Sequence, residues 1–268
     1  MTAPSNPMQI YSLLEKSDCG QCGEPTCLAF AAAVFRGQRS LAECPRLDPE
    51  TVQQYAGQEA KKSGPEEDMY QAMHELQQKV PGLDLQEAAQ RTGGRLTRDR
   101  ITVKVMGKDF SVDKQGRLHA EIHTNPWVGM PVLNYILNGK GLEPKGKWLP
   151  FRELPGGRVR SGLFEQRCEK PLKKIADEYT GLFQDMLDIF NVQQVDDEQQ
   201  ADISILLYPL PKVPMLICYW QADEGLESSL HIFFDETATE NVGIDGVFSI
   251  GSGLAQMFEK LARRHAGI

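Results

Sequence analysis

The sequence predicts an α+β protein, a small loop-and-helix module followed by a larger domain of helices and antiparallel strands. Two observations carry that expectation. Strand-like runs are grouped between helical ones, without the regular strand–helix alternation that builds a parallel sheet. Four of the six cysteines fall within the first 44 residues, and in a chain with no export signal clustered cysteines point to metal or redox chemistry ahead of disulfides. Hydrophobic residues at 41% and charged residues at 25% over 268 positions describe a globular chain, not a disordered one. No apolar run approaches the ~18 residues of a spanning helix. Met1 to Gln9 carries neither the cationic nor the apolar region of a secretory signal, so no membrane attachment and a cytoplasmic location are expected. A formal charge of −8 argues against a nucleic-acid binder.

The first element is the cysteine module. Cys19, Cys22, Cys27 and Cys44 are spaced C-x2-C-x4-C-x16-C. Three thiols within nine residues cannot aim at one centre from a regular helix or strand. They need a wrapping loop, and Gly20 and Gly23 supply its freedom. Glycine also lets backbone N–H groups approach anionic sulfur closely, which tunes an iron–sulfur cluster. Glu24, Pro25 and Thr26 read as a helix start, Cys27 to Arg36 as the helix, and Gly37 as its stop. Cys27 is then in the first turn, where the helix dipole favours a thiolate. Cys44-Pro45 repeats the Cys-Pro pair that ends bacterial ferredoxin runs. Structural zinc also takes four thiolates, but its sites usually pair two short Cys-x-x-Cys knuckles. The spacing favours an iron–sulfur cluster, and thiolate counting leaves [4Fe–4S] and [2Fe–2S] both open.

The stretch from Tyr11-Ser-Leu-Leu-Glu-Lys-Ser-Asp through Cys19-Gly-Gln-Cys-Gly-Glu-Pro-Thr-Cys to Cys44-Pro45 resembles a small [4Fe–4S] domain known from two anaerobic settings. One is the large subunit of the corrinoid iron–sulfur protein of acetyl-CoA decarbonylase/synthase, the other the B subunit of the Rnf electron-transport complex. The resemblance covers about residues 8–48. It implies that Cys19, Cys22, Cys27 and Cys44 ligate one [4Fe–4S] cluster used in low-potential electron transfer. The remainder departs from both families. It has no Asp-x-His-x-x-Gly corrinoid signature and no room for barrel and corrinoid domains, and it has neither the anchor nor the extra ferredoxin cysteines of the second.

Beyond the module, taken as residues 1–48, residues 49–64 are polar and read as a linker or short amphipathic connector. The domain expected over 65–268 opens with a helix over Glu66–Lys79, carrying Met69, Met73, Leu76 and Val80 on one face. Asp84 caps a second helix that stops at Gly93-Gly94. Strands are expected over Ile101–Met106, Lys108–Val112 and Leu118–Ile122, with a turn at Lys114-Gln-Gly. A helix over Val128–Leu137, a Pro/Gly-rich loop over Gly139–Gly157 and a long helix over Glu165–Phe190 follow. An antiparallel meander is expected from Ile203–Tyr208, Met215–Trp220 and Leu230–Phe234. The last helix is placed at Gly253–Arg264. Trp127-Val-Gly-Met-Pro, Pro150-Phe-Arg-Glu-Leu-Pro-Gly-Gly, Pro211-Lys-Val-Pro-Met-Leu-Ile-Cys-Tyr-Trp-Gln-Ala-Asp-Glu and Phe234-Asp resemble a domain of unknown function found behind the same cluster module in anaerobic bacteria and archaea. That resemblance covers roughly 66–262 and implies a two-part architecture without an activity.

Several constellations outside the module invite a functional reading. Gly141 to Lys147 fits the phosphate-loop spacing, but Trp148 stands where Ser or Thr belongs and Pro150 blocks the following helix, so the match reads as accidental. Gly251-Ser-Gly253 lacks a third glycine, and Ser252 reads instead as a helix cap. His119, Glu121 and His123 alternate on a strand and share a face, an arrangement open to a metal or to simple solvation. Cys168 and Cys218 read as packed thiols. Asp223-Glu224 and Asp235-Glu236 are paired carboxylates, either acid–base candidates or solvated turn charges. A ligand pocket is expected between the aromatic hairpin and the loop carrying Arg152, Arg158 and Arg160.

The leading expectation is an electron-transfer protein with a redox partner protein, by resemblance a corrinoid protein, and a second domain that docks this partner or holds a small ligand. An iron–sulfur sensor is the alternative; its nucleic-acid form would use Arg91, Arg95, Arg98 and Arg100, against which net acidity counts. A small reductase is the third, although no spacing defines a catalytic residue. Charge is unevenly distributed. Residues 91–174 carry 18 Lys/Arg against 8 Asp/Glu, and residues 177–240 carry 1 against 14. The two segments therefore form separate faces or pair internally.

Overall fold

A computed structural model describes residues 6–35, 37–55, 65–122, 124–181, 183, 193–194 and 201–265. The chain divides into two compact units, Met1–Asp68 and Met69–Ile268. No helix among the described residues is long and apolar enough to cross a membrane.

The first unit contains α1 (Pro7–Leu13), α2 (Cys27–Phe35), a 3-10 turn (Leu41–Glu43) and α3 (Pro49–Tyr55). Asn6 caps α1 by accepting from the Gln9 N–H, and Pro7 follows at the position where a missing N–H costs nothing. Ile10 and Leu14 pack with Phe30, Ala31, Val34, Leu41 and Leu47 into one small apolar cluster. The residues expected to be a linker begin with α3, whose Val52 and Tyr55 rest against this cluster. Residues 56–64 of that stretch lie outside the described residues.

The second unit opens with α4 (Pro65–Gln77) and α5 (Leu85–Thr92). Asp84 caps α5 by accepting from Gln86 and Glu87, and Gly93 ends it in the left-handed conformation, as expected. Strands β1 (Arg95–Thr97), β2 (Arg100–Val105), β3 (Lys108–Asp113) and β4 (Leu118–Ala120) form an antiparallel sheet in that order. Next come α6 (Pro126–Asn138) and β5 (Trp148–Pro150), then α7 (Ser161–Phe164) and α8 (Lys170–Glu178). A second antiparallel sheet is ordered β5, β9 (Ser229–Asp235), β8 (Val213–Trp220), β7 (Ile203–Leu210), β6 (Gln193–Gln194). The closing helix is α9 (Ala238–His265). Register pairs Met215 with Phe234, Ile217 with Ile232 and Tyr219 with Leu230, and these line the core face of the sheet with side-chain period two. The two sheets meet where the Met106 N–H donates to the Pro209 carbonyl.

The architecture is α+β as expected, and three elements differ from their expected extents. The long helix over Glu165–Phe190 is instead α7, a single π turn at Glu165–Glu169, and α8. Pro171 is the reason, because it has no N–H for the carbonyl of Arg167, and the wider turn seats it in the first turn of α8. At Tyr179 the backbone leaves the helical region, with φ −140° and ψ 54°; residues 182 and 184–190 of the expected helix lie outside the described residues. The last helical stretch begins at Ala238, not Gly253, and is interrupted at Gly243, whose φ of 73° and ψ of 158° are not helical. Ser252 is therefore buried inside a helix and caps nothing. Its neighbour Gly251 marks close packing, since a Cβ there would lie 2.7 Å from the Phe164 ring. Finally, the loop over Gly139–Gly157 contains β5, an edge strand in which Pro150 is tolerated.

Candidate functional site

The cysteine loop runs from the end of α1 to the start of α2. Lys16, Asp18, Gly20 and Gly23 all have positive φ, so the chain coils left-handed repeatedly within eight residues, a path that the two glycines make inexpensive. The Gly23 N–H closes a turn on the Gly20 carbonyl at 3.1 Å. Thr26 caps α2 by accepting from the Ala29 N–H at 3.0 Å. The preceding loop is tied to the same helix end by Asp18, whose carboxylate accepts from the Cys27 N–H at 2.6 Å. That bond holds the segment beside Cys19 against the first turn carrying Cys27.

All six cysteines are free thiols. Cys27 is buried in the apolar cluster, Cys22 and Cys44 are half-buried against it, and Cys19 is exposed. Cys19 has its thiol pKa lowered, chiefly by the backbone hydrogen bond from Gln21, against the opposing effect of burial and with further help from Ser17. Backbone donation to sulfur is what the glycine-rich sequence leads one to expect. Among the described residues no group of three or more His, Cys, Asp or Glu side chains is gathered closely enough to hold a metal ion.

Arg39 links the loop to the arm that returns Cys44. Its guanidinium pairs with Glu43 at 2.8 Å and with Glu24 at 3.6 Å. It lies on Gly23 so closely that a Cβ there would come within 2.9 Å of it. Ser40 and Glu43 form a reciprocal capping box around the 3-10 turn that delivers Cys44. Neither Arg39 nor Asp18 is legible in the cysteine spacing. Both act across folded distances, and the one sequence signal available is Ser40-x-x-Glu43.

The other candidates resolve into structural roles. Asp235 is fully buried and accepts from the Lys145 and Gly146 N–H groups and from the Thr237 N–H and hydroxyl. The loop with phosphate-like spacing is thus fastened to a carboxylate and runs into a strand. Glu236 pairs with Lys147 at 2.7 Å and Lys145 at 2.9 Å, and these two hydrogen bonds hold its pKa down at about 2. Asp223 closes a tight turn with Leu226. His119 donates to the buried Asp113 carboxylate at 2.9 Å, Glu121 lies beyond the end of β4, and His123 is outside the described residues. Burial pushes the Asp113 carboxyl up, but hydrogen bonds from His119, Arg117 and the Gln115 N–H outweigh it and hold the group well below the usual carboxylate range.

Cys168 is buried 3.4 Å from the Ser252 hydroxyl, and burial raises its pKa to about 12; Cys218 is buried in β8. Arg91 caps α6 through the Gly139 and Ile136 carbonyls, so it offers no free cation to a nucleic acid. Arg160 pairs with Asp245 and Arg152 with Glu153. Near the aromatic hairpin, Tyr219 is buried with its hydroxyl on Asp177 at 2.8 Å, and Trp220 meets His231 edge-on. Among the described residues a cavity opens among the β2–β3 turn, α6 and α9.

Residues 84–257, more than half of the chain, match the family described as Domain of unknown function (DUF3786). The chain belongs to that family. Ahead of it, residues 14–46 match the family described as "Putative Fe-S cluster" and form an iron–sulfur cluster domain. Over 42 residues the chain is 50% identical to the corrinoid/iron-sulfur protein large subunit of Moorella thermoacetica, covering 16% of this chain and 9% of that one. Over 43 residues it is 40% identical to the acetyl-CoA decarbonylase/synthase complex subunit gamma 1 of Methanosarcina thermophila, again 16% and 9%. Over 41 residues it is 42% identical to subunit gamma of Methanocaldococcus jannaschii, 15% and 8%. The matches thus span about a tenth of the length of these relatives. No solved structure matches.

Proposed function

We propose that this DUF3786-family protein carries single electrons at low potential through one [4Fe–4S] cluster held by Cys19, Cys22, Cys27 and Cys44. The donor set fits that group. Four free thiols in one unit supply the required ligands, and Asp18 and Arg39 fasten the loop to α2 and to the returning arm. In this reading 1–48 is the cluster-binding domain, 49–64 the linker and 65–268 the second domain. When bound, the cluster supplies the one-electron couple. The chain's own residues position and insulate it: the Gln21 N–H lowers the Cys19 pKa and favours its thiolate, and the apolar cluster at Cys27 excludes water from one side.

The observation that supports this most is the four-cysteine loop itself, shared over about 42 residues with the corrinoid/iron-sulfur protein large subunit. That likeness supports a redox partner protein in anaerobic metabolism, a corrinoid protein among the candidates, and a cytoplasmic site of action. Anaerobic reconstitution with iron and sulfide, followed by EPR and spectroelectrochemistry, is the test. About four irons and four sulfides per chain with a reversible one-electron couple is the expected result. One zinc per chain without sulfide removes the proposal, and a cluster destroyed on first reduction or oxidation favours a sensor instead.

A further inference from the structure

The second unit contains an open cavity of about 410 Å³ among the β2–β3 turn, the first half of α6, the end of β7 and the second half of α9. Its size is that of small-molecule sites. Its wall is apolar, with Met106, Ile122, Trp127, Val128, Met257 and Leu261 left only half-buried around it. A contiguous apolar patch of this kind, rimmed by polar residues, marks a ligand or interaction site.

The polar groups at the cavity define the class of ligand. Lys108, Lys260 and Arg264 stand on its rim and are exposed to solvent. No Asp or Glu lines it, and among the described residues none of these three cations is ion-paired. By contrast Lys140, Lys145 and Lys147, from the same basic stretch as Lys108, are neutralised by Glu240 and Glu236. Few neutral donors or acceptors remain inside. Asn125 spends its side-chain oxygen on the Val128 N–H as the cap of α6, which leaves its amide NH2, the Trp127 indole N–H and Gln256. A nucleotide base, sugar or flavin ring carries more polar edges than these few groups can pair, and burying the remainder is costly. A single aliphatic chain ending in an anionic group satisfies both features at once.

We propose that this cavity binds an amphipathic anion, of the class of a medium-chain carboxylate or alkyl phosphate, with the chain against Trp127 and Met257 and the head group at Lys108, Lys260 and Arg264. The proposal is independent of the cluster and stands or falls without it.

Calorimetric titration of the full chain with octanoate, decanoate and dodecanoate, each below its micelle concentration, tests it. The expected result is one-to-one binding that tightens about fourfold per added methylene. Dodecyl phosphate should bind as well, while dodecanol is weaker and dodecyltrimethylammonium does not bind. Lys260→Glu/Arg264→Glu, at exposed positions that leave the core intact, should weaken dodecanoate about tenfold and leave dodecanol unchanged. Met257→Trp, which fills the cavity, should abolish both. The proposal is overturned by no saturable binding at any chain length, by equal binding of dodecanol and dodecanoate, by insensitivity to the charge reversal, or by binding to phosphatidylglycerol vesicles without binding of free dodecanoate.

Discussion

Among the described residues, the N-terminal unit gathers eight buried residues into its apolar cluster and the second unit forty. Forty such residues, drawn from two sheets and the helices packed on them, are enough for a domain to fold by burial alone. Eight are not, since small units with so little core ordinarily depend on a metal, disulfides or a partner. The first unit has no disulfide, and four of its residues are thiols suited to a cluster. The contrast assigns different sources of stability to the two units: ligation energy in the first and packing in the second.

The sharpest way to break this contrast is to remove a ligand. Cys27→Ser should cost the protein most of its bound iron, and amide exchange over Cys27–Phe35 should become as fast as in an unfolded chain. Strand β8 should stay protected in the same sample. Loss of protection in both units together would mean that they share one cooperative core. Cys168→Ser is the matched control, because that thiol lies 3.4 Å from Ser252 in the large core; it should leave iron content unchanged.

The second unit should in turn be sensitive to its buried polar anchors. Asp235→Ala leaves the Lys145, Gly146 and Thr237 N–H groups without their acceptor in a closed site. A loss of about 2–4 kcal/mol is expected from comparable buried hydrogen-bond deletions, read as a lower urea midpoint for the second unit. Iron content should not move.

Within the first unit a smaller effect separates the fastening from the ligands. Arg39→Ala removes the tie among Glu24, Glu43 and the Gly23 backbone. The pairs are solvent-screened and weak, so reconstitution should succeed. Iron release to a chelator should be about threefold faster. Arg39→Lys should not restore the slow rate, because an ammonium cannot span two carboxylates as a planar fork does.

The legible parts of the chain were those whose signal is local. The cap at Asp84, the left-handed stop at Gly93 and the short apolar runs of β7, β8 and β9 each sit within a few residues, as does the cysteine spacing. Tertiary closeness erased the local signal elsewhere. Gly251 and Gly253 look like a turn, yet they are places where α9 passes Phe164 and Trp127. Edge strands β1 and β5, three residues each, exist because a longer neighbour pairs with them. The pair Asp235-Glu236 resembles an acid–base site until the loop it fastens is folded onto it. Part of the uneven charge along the chain is internal pairing, as Lys140, Lys145 and Lys147 with Glu236 and Glu240 demonstrate. The cavity draws its wall from separated segments, and no window of sequence contains it.

The smallest effect tests the electrostatics of the second unit's outer sheet face. His231 has its pKa raised, chiefly by the neighbouring Glu169 carboxylate and against some desolvation, and the two side chains approach to 3.8 Å as an ion pair. A raised pKa means that the folded state holds the proton more tightly than the unfolded chain does. The pair's contribution is therefore complete below about pH 6.5, the ordinary histidine value, and is lost as pH rises through the folded value. His231 is half-exposed, so screening keeps the effect small, about 1 °C in Tm for the second unit. Melting curves between pH 5.5 and 8.5 on wild type and His231→Gln should differ in slope over that window alone. Because the His231–Glu169 pair belongs wholly to the second unit, His231→Gln should leave chelator-driven iron release unchanged at every pH in that window, whatever pH dependence the thiolates themselves impose; a rate altered by the substitution would couple the two units.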